Sequence, residues 1–388
     1  MQRAGRCAFA AGAFGTMVLL RRSDERRPAF CEKFISTVTA TKFDSGFVTT
    51  MTTTGPLPEV APKKFKVCVC GGAGGIGQPL CMLMAMNPLV KELSVQDVDV
   101  AMIPAAGVAA DLSHLNTDVK VQAYAIDPKV PPAVQLGECL QGCDLVLVPA
   151  GIPRKPGMTR DDLFQVNASI AAGIAQAVAT HCPNAVLALI VNPVNSIVPA
   201  VGELYKQWGL DPTKVVGVTT LDVVRAGKFV SEVTGIDASE VDVPVVGGHA
   251  GKTIVPVLSQ TNPPVSLTSE QIQSLDVRIQ DAGTEVVLAK NGKGSATLSM
   301  AYAGARLGNA VLNGLAGRDT AECAYVASAV ADLPYFASKV VFGANGVKEV
   351  HPVGTLTEYE EVRLAEAKAQ LAAEIEKGVQ FANGPSKK

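Results

Sequence analysis

The stretch FKVCVCGGAGGIGQPLCMLMAMNPLVKELSVQD, residues 65–97, decides the fold of this chain. It begins with the β-favouring apolar run Val67–Cys70, which is typical of a parallel strand covered on both faces. Glycines follow at once, and Gly72, Gly74 and Gly77 have the spacing GxGxxG. Because glycine has no Cβ, the backbone can turn tightly there and approach a pyrophosphate. The strand and the glycines together predict a phosphate-binding turn.

A helix and a second strand complete the pattern. Pro79 suits the first turn of a helix, and Asn87-Pro88 ends that helix. The unpaired N–H groups at the start of such a helix attract an anion. Asp97 ends the second strand, where its carboxylate can accept hydrogen bonds from the adenosine ribose and repel a 2′-phosphate. The stretch therefore predicts an NAD site and favours NAD over NADP, whereas a glycine cluster alone would indicate only a turn.

The composition narrows the class of protein. The 388 residues are 48% hydrophobic and 18% charged, as in a globular chain long enough for two domains. Residues 1–62 carry 8 basic and 5 acidic residues, and the remainder carries 26 basic and 31 acidic ones. No segment has the basic surface of a nucleic-acid-binding protein. We therefore expect a small-molecule substrate, with neither nucleic acid nor a membrane as partner.

Residues 1–62 differ from the rest and are interpreted as a targeting leader or a disordered extension. The first 22 residues contain four arginines and no acidic residue, and a Ser/Thr-rich segment follows, as in organelle-targeting peptides. The apolar run Ala8–Leu20 is too short to span a bilayer. Met51 offers an alternative start that would leave a cytosolic form.

The nine cysteines are scattered and include no CxxC pair. This usage favours free thiols in a reducing compartment and leaves a regulatory disulfide as the alternative. Because a protein with unpaired thiols is poorly suited to secretion, we expect the mitochondrial matrix. The plastid stroma, and then the glyoxysome or peroxisome, are the alternatives. No metal site is expected.

Downstream of the leader, strand-like runs alternate with helical patterns. Six such runs with helical crossovers predict an α/β fold, a Rossmann doubly wound parallel sheet over residues 63–219. A mixed α/β substrate-binding domain is expected over residues 220–388. The six runs are Val67–Cys70, Leu93–Gln96, Val119–Tyr124, Leu145–Pro149, Val186–Val191 and Val215–Val218.

Helices are also predicted from local signals. The helix after the fourth strand is expected to bury one face, made of Leu163, Val166, Ile170, Ile174 and Val178. In the second domain the expected helices cover Leu221–Thr234, Ser269–Asp281 and Ser295–Leu315. A tail helix should follow the capping-box pattern formed by Thr357 and Glu360.

Charged residues cluster where ligand chemistry is expected. Arg154 and Arg160 lie in the loop after the fourth strand, at the edge where open α/β sheets bind ligands, although loop arginines are most often only solvated. Asp222 and Arg225 share one face of a helix, and the alternative there is a surface ion pair. His249, in Val-Gly-Gly-His-Ala-Gly, has room to meet a ligand, and histidine suits the general base of a 2-hydroxy acid. Of the other histidines, His114 is expected to be structural, His181 precedes a helix-ending Cys-Pro, and His351 sits near a Pro-Gly turn.

Seven motifs resemble those of the NAD-dependent malate dehydrogenases, in the mitochondrial-type branch of the lactate and malate dehydrogenase family. They are GGAGGIGQPL, DLSH, PRKPGMTRDDLFQVNA, IVNPVNS, GVTTLDVVRA, GGHAGKT and GSATLSMA. The resemblance runs from about Phe65 to the C-terminal helix and excludes the leader. Its departures are mild: Cys70 stands where an aliphatic residue is more usual, and Gln96 replaces a common Tyr.

The resemblance implies a role for each matched residue. His249 would exchange the hydroxyl proton of malate, with Asp222 orienting the imidazole. Arg225 would bind the C1 carboxylate, Arg160 would polarise the carbonyl of oxaloacetate, and Arg154 would bind the distal carboxylate. Asn192 would hydrogen-bond the substrate oxygen, although a strand-ending turn also explains the Asn-Pro pair. The expected NAD contacts are Gly71, Gly72, Gly74, Gly75, Ile76, Gly77, Asp97, Asn167, Val191 and Met300.

The substrate and the assembly follow from the same resemblance. Arg154 argues for a dicarboxylate, because a lactate-type substrate would leave a buried arginine opposite a methyl group. The family implies a homodimer, so the second domain would also serve dimerisation. The alternatives are a dehydrogenase for another 2-hydroxy acid and a non-catalytic dinucleotide-binding protein.

Overall fold

The computed structural model describes residues 17–19, 34–43, 46–56, 63–152 and 160–384. The chain divides into two compact units, Met1–Pro62 and Lys63–Lys388. In the first unit, an antiparallel sheet with the order β1-β2-β3 is formed by β1 (Met17–Leu19), β2 (Phe34–Phe43) and β3 (Gly46–Pro56). A targeting role for these residues stays a prediction.

The first half of the second unit is the predicted doubly wound sheet. Its strands are β4 (Phe65–Cys70), β5 (Val90–Val98), β6 (Lys120–Ile126), β7 (Leu145–Val148), β8 (Val186–Leu189) and β9 (Val215–Gly217). All six are parallel, in the order β6-β5-β4-β7-β8-β9. The order reverses between β4 and β7, and ligands bind at such a switch point outside the carboxyl ends of the strands.

Helices cover both faces of this sheet, as the continuously apolar central strands β7 and β8 require. They are α1 (Gly77–Ala85), α2 (Ala105–Leu112), the short α3 (Pro132–Gln135) and α4 (Gly137–Leu140), α5 (Arg160–His181) and α6 (Val194–Gln207). Two apolar clusters result, one on the α5 and α6 face and the other on the α1 and α2 face. The predicted fold class is confirmed.

The second half adds antiparallel strands to the same sheet. Its helices are α7 (Thr220–Thr234), α8 (Ser269–Ala289), α9 (Leu298–Leu315) and α10 (Glu358–Asn383), and its strands are β10 (Val245–Gly247), β11 (Ile254–Pro256), β12 (Thr320–Ala327), β13 (Tyr335–Gly343) and β14 (Gly346–Val350). The sheet continues in the order β9-β12-β13-β10-β11, with β14 beside β13. The tail helix has the predicted capping box, since Thr357 Oγ1 accepts from the Glu360 N–H and the Glu360 carboxylate accepts from the Thr357 N–H.

The buried face of α5 differs from the predicted one. Val166 is exposed, Leu163 and Ile170 are half-buried, and only Ile174 and Val178 are buried as expected. The face that packs on the core is rotated toward Phe164 and toward smaller side chains: Ala168, Ala171, Ala175 and Val178. Among the described residues α5 is the one helix long and apolar enough, at a mean hydropathy of 1.2, to cross a membrane. Its alanine-rich face lies in the core, where small side chains allow close packing.

The seven cysteines in the described parts of the chain are free and buried, as the sequence predicts. Cys68 Sγ lies 3.3 Å from Cys139 Sγ and 3.7 Å from Cys70 Sγ. Hydrogen bonding to Cys139, together with burial, raises the pKa of the Cys68 thiol, and burial raises the pKa of Cys323 to about 12. Thiols in such surroundings are poor nucleophiles. Within the described ranges, no group of three or more His, Cys, Asp or Glu side chains suits a metal ion.

Candidate active site

The glycine turn between β4 and α1 has no space for a side chain at Gly71, Gly72 or Gly77. Gly71 has a φ of +93°, and a Cβ there would lie 2.7 Å from the backbone nitrogen of Ala150 at the end of β7. A Cβ on Gly77 would lie 2.0 Å from the carbonyl oxygen of Gly71. At Gly74 and Gly75 the nearest atoms are 3.4 Å away. The turn is therefore tight toward the protein and more open at its middle, which fits a cradle for a pyrophosphate.

Asp97 is fixed beside this turn. Its Oδ2 accepts a hydrogen bond from the Ala73 N–H at 2.9 Å, and its Oδ1 accepts one from the Val98 N–H at 2.8 Å. Each carboxylate oxygen can accept more than one hydrogen bond. Asp97 can therefore also accept from the two ribose hydroxyls of NAD, and its negative charge opposes a 2′-phosphate. Both features of the turn fit NAD.

Replacing Asp97 by serine should weaken the discrimination between the two dinucleotides. The variant loses the charge that repels a 2′-phosphate, so we expect the ratio of kcat/KM for NADH to that for NADPH to fall by about 10-fold or more. Steady-state rates with both cofactors measure this ratio. Asp99→Ser is the matched control, because Asp99 is exposed and two residues further on. An unchanged ratio in Asp97→Ser would place the selectivity elsewhere.

Asn167 joins two segments at the carboxyl edge of the sheet. Its side chain is buried, its Oδ1 accepts from the Ile152 N–H at 2.8 Å, and its Nδ2 donates to the carbonyl of Asn192 at 2.8 Å. Val191 is buried beside Gly151, where a Cβ would lie 2.7 Å from Val191 Cγ2. Asn192 itself is exposed. The amide of Asn167 thus holds the loop after β7 against the turn after β8.

The start of α9 lies next to the glycine turn. A Cβ on Gly75 would meet Thr297 Cγ2, immediately before α9, at 3.4 Å. Met300 is buried in the first turn of α9, and Ile76 packs against the same apolar cluster. The predicted cofactor contacts therefore come from segments far apart in the sequence, and each remains a prediction.

His249, between β10 and β11, and Asp222, on α7, form a close pair in the second half of the unit. His249 Nδ1 lies 2.6 Å from Asp222 Oδ2, and the Asp222 side chain is fully buried in the first turn of α7. An ionised carboxylate only accepts hydrogen bonds, so Nδ1 carries the proton. The helix N-terminus favours the negative charge of Asp222. The free Nε2 of His249 can then exchange a proton with a ligand, as in other base-plus-orienter sites.

The glycines around His249 have a different explanation from the one that the sequence suggests. Gly247 has a φ of +98°, and a Cβ there would lie 2.2 Å from the Thr253 carbonyl oxygen. A Cβ on Gly248 would lie 2.6 Å from Asn195 Oδ1. These glycines let the turn pack closely on protein atoms, rather than making room for a ligand. Asn195 and Thr253 were missed from the sequence, although both belong to the motifs that contain Asn192 and His249.

Arg225 faces the same carboxylate from α7. Its Nη1 lies 3.7 Å from Asp222 Oδ1, which is an ion pair but too long for a hydrogen bond. Burial lowers the pKa of Arg225, while the charge of Asp222 raises it. The alternative of a surface ion pair is wrong, because Asp222 is fully buried and the Arg225 side chain is 13% exposed. Within the described residues the Arg225 guanidinium makes no hydrogen bond, so its donors can bind a carboxylate.

The structure does not describe the side chains of the two loop arginines, Arg154 and Arg160. Arg154 lies outside the described residues, and Arg160 begins α5 but has a side chain that also lies outside them. Of the other histidines, His181 has its Nε2 2.8 Å from the carbonyl oxygen of Ala133. The geometry therefore joins His249, Asp222 and Arg225.

The fold and this site define an NAD-dependent oxidoreductase, and comparison with known proteins gives its family. Residues 65–217 match the NAD binding domain of lactate/malate dehydrogenase, and residues 219–382 match the alpha/beta C-terminal domain of the same enzymes. The chain belongs to the lactate/malate dehydrogenase family. Its cofactor is NAD, as the sequence predicts.

Two relatives in this family that match most of this chain are malate dehydrogenases. The chain is 54% identical over 319 residues to the glyoxysomal malate dehydrogenase of Citrullus lanatus, which covers 82% of this chain and 87% of the relative. It is also 54% identical over 320 residues to the mitochondrial malate dehydrogenase of Chlamydomonas reinhardtii, covering 82% and 83% of the two chains. The resemblance to the malate dehydrogenases is confirmed.

A solved structure shows that the fold alone does not select the substrate. The lactate dehydrogenase of Cryptosporidium parvum, solved with lactic acid and nicotinamide adenine dinucleotide, superposes with a TM-score of 0.70 at 25% identity. The match covers 83% of this chain and 99% of that one. Because the same fold serves a monocarboxylate in that protein, the substrate has to be argued from the site residues.

Proposed function

We propose that this chain is a malate dehydrogenase that interconverts (S)-malate and NAD+ with oxaloacetate, NADH and a proton. The observation that carries the proposal is the buried pair of His249 and Asp222, with Nδ1 and Oδ2 2.6 Å apart, beside Arg225. A histidine base and a carboxylate-binding arginine are what the oxidation of a 2-hydroxy acid requires. The 54% identity to two malate dehydrogenases supports the same substrate class.

The protein side of the reaction is a proton transfer at His249. As malate is oxidised, Nε2 takes the hydroxyl proton, and the resulting imidazolium is stabilised by the carboxylate of Asp222 at Nδ1. NAD+, when bound at the glycine turn, supplies the acceptor for the hydride that leaves C2. In the reverse direction the imidazolium returns its proton to the carbonyl oxygen of oxaloacetate. Burial of Asp222 keeps water from competing for this hydrogen bond.

Three arginines and an asparagine would hold the substrate. Arg225, with its free donors, would bind the C1 carboxylate in a bidentate manner. Arg160 would polarise the carbonyl group, and Asn192 would donate a hydrogen bond to the same oxygen. Arg154 would pair with the distal carboxylate, which a lactate-type substrate lacks. A dicarboxylate is therefore preferred, because a lactate-type substrate would leave the charge of Arg154 without a partner.

Substrate competition tests the proposal. We expect kcat/KM for oxaloacetate with NADH to exceed that for pyruvate by on the order of 10² or more, because each unpaired buried charge costs several kcal/mol. Arg154→Gln should bring the two values closer together. Faster reduction of pyruvate would instead indicate another 2-hydroxy acid dehydrogenase. NADH binding without turnover of either compound would indicate a non-catalytic dinucleotide-binding protein.

We also propose that the chain acts as a homodimer through the face formed by α1, α2 and α9. Apolar side chains are exposed there, including Met82 on α1 and Tyr302 on α9, which is 53% exposed. A shallow groove of about 290 Å³ between α1 and α2 includes Met82 and Ile103. Exposed apolar area of this kind is typical of an interface between copies. A sedimentation mass of twice 40.2 kDa supports the dimer, and a mass of 40.2 kDa contradicts it.

The compartment is organellar in the compared relatives, one glyoxysomal and one mitochondrial. We propose the mitochondrial matrix for this chain, because the first 22 residues carry four arginines and no acidic residue. A fluorescent protein fused after residue 62 would be imaged with markers for mitochondria, plastids and peroxisomes. Signal in either of the other two organelles contradicts the proposal.

A further inference from the structure

Asn195 uses every polar atom of its side chain to connect three segments. It is almost fully buried in the first turn of α6. Its Oδ1 accepts the backbone N–H of His249 at 2.7 Å. Its Nδ2 donates to Thr253 Oγ1 at 3.0 Å and to Glu374 Oε2, on α10, at 2.7 Å. The side-chain amide of Asn195 therefore joins three segments: α6, α10, and the turn between β10 and β11 that contains His249, called the His249 turn below.

The His249 turn closes around this amide. Thr253 Oγ1 accepts from the Ala250 N–H at 3.0 Å and donates to the Ala250 carbonyl at 2.8 Å. Gly248 leaves no gap, since a Cβ there would lie 2.6 Å from Asn195 Oδ1. The backbone of His249 is thus held by side-chain hydrogen bonds and by direct packing. Its imidazole is held separately, by Asp222.

The tail helix reaches Asn195 because α10 docks closely on α6. A Cβ on Gly378 would lie 2.1 Å from the carbonyl oxygen of Ser196, so the two backbones are nearly in contact. This docking brings Glu374, one turn before Gly378, to the Nδ2 of Asn195. The end of the chain therefore supplies part of the support for the site.

Asn195 also follows Asn192 by three residues, at the point where the turn after β8 leads into α6. In the proposed function Asn192 binds the substrate oxygen and His249 exchanges its proton. A rigid link between the two segments fixes the distance between that oxygen and Nε2. Small errors in such a distance reduce turnover strongly.

We propose that Asn195, supported by Glu374, is a positioning residue that sets His249 against the substrate-binding turn. The inference rests on the proposed function, since it assigns His249 the proton transfer. Asn195 touches neither substrate nor cofactor in this account. Its loss should therefore lower kcat while leaving the affinity for NADH unchanged.

Exchanging the donor and the acceptor of the hydrogen bond between residues 195 and 374 tests the proposal. Asn195→Asp keeps the oxygen that accepts from the His249 N–H. It replaces the Nδ2 that donates to Glu374 by a second carboxylate oxygen, so two carboxylates repel each other there. The kcat for oxaloacetate should therefore fall by on the order of 10-fold to 100-fold. Adding Glu374→Gln restores a hydrogen bond of the opposite direction. The double variant should recover most of the lost kcat. In each variant the dissociation constant for NADH should stay within about twofold of the wild-type value.

Two further variants keep the test decisive. Tyr335→Phe is the matched control, because it removes a buried hydrogen bond to Glu203 on α6 without touching the His249 turn, and its kcat should be unchanged. Asn195→Ser replaces Asn195→Asp if the latter does not fold, because a serine hydroxyl is too short to join His249 and Glu374. It should show the same loss of kcat.

The outcomes separate the two proposals. An active wild type whose Asn195→Asp or Asn195→Ser variant keeps its kcat overturns the positioning role. A kcat loss that Glu374→Gln does not rescue also overturns it, because the effect would then be a general structural one. A wild-type chain that binds NADH and does not reduce oxaloacetate overturns the proposed function itself.

Discussion

The His249→Asn variant is expected to bind NADH with wild-type affinity and to lose turnover of oxaloacetate by on the order of 10² or more. Asparagine is close to histidine in size and can still donate a hydrogen bond to Asp222. It cannot take or give a proton at the position of Nε2. The measurement pairs an NADH titration with the rate of oxaloacetate reduction under saturating substrate, so that binding and chemistry are read separately.

His351→Asn is the control for this substitution. His351 is 40% exposed, and its nearest charged partner is Glu349, 3.9 Å away. Its backbone N–H donates to the carbonyl oxygen of Lys339 on β13, and within the described residues no hydrogen bond joins it to His249, so turnover should be unchanged. Near-normal turnover in His249→Asn would show that another group transfers the proton.

The Gly77→Ala variant is expected to raise the dissociation constant for NADH by about 10-fold or more. The added Cβ would lie 2.0 Å from the carbonyl oxygen of Gly71 and 2.7 Å from Gly72. Both contacts are with backbone, so β4 and α1 must move apart and the glycine turn must open. Overpacking of this kind costs about 1–3 kcal/mol, and 1.4 kcal/mol corresponds to a tenfold change in affinity. Calorimetric titration with NADH measures the effect.

Gly283→Ala tests whether the effect belongs to the turn. Gly283 is in α8, and a Cβ there has no heavy atom within 4 Å. This substitution should leave NADH binding unchanged and stabilise the fold by about 0.5–1 kcal/mol, as alanine does relative to glycine in a helix. Equal NADH affinity in Gly77→Ala and the wild type would mean that the turn does not bind the pyrophosphate.

The sequence predicts well those parts of the molecule that local rules control. The apolar runs that form the central strands β4, β7, β8 and β9 are fully buried, so continuous hydrophobicity identifies them without knowledge of their partners. The glycine turn and Asp97 also follow from backbone geometry and charge at short range. The capping box at Thr357 and Glu360 is local as well, since both residues belong to one helix end.

Features that depend on contacts between residues far apart in the chain were not predicted from the sequence. Strands β12, β13 and β14 were not anticipated, because β12 is rich in alanine, carries a glutamate and gains its place by pairing with β9 and β13. The positions of the bulky side chains predicted the wrong buried face for α5. The buried face of this helix instead contains its alanines. Val166 is exposed for this reason.

The residues of the candidate site also divide into those that the sequence predicts and those that it does not. Residue type and motif single out His249, Asp222 and Arg225, and the fold brings them together. Asn195 carries no such signal, because its role arises from hydrogen bonds to residues 54 and 179 positions away along the chain. Motifs therefore identify the groups that would touch the substrate, whereas the residues that hold those groups emerge only from the tertiary structure.

A structure of the complex with NADH and a non-reacting dicarboxylate analogue of oxaloacetate tests the central claim most directly. We expect one carboxylate to bind the Arg225 guanidinium through two hydrogen bonds, with the C2 oxygen within hydrogen-bond distance of His249 Nε2. The second carboxylate should meet Arg154. A dicarboxylate bound away from His249 and Arg225 would contradict the proposed mechanism.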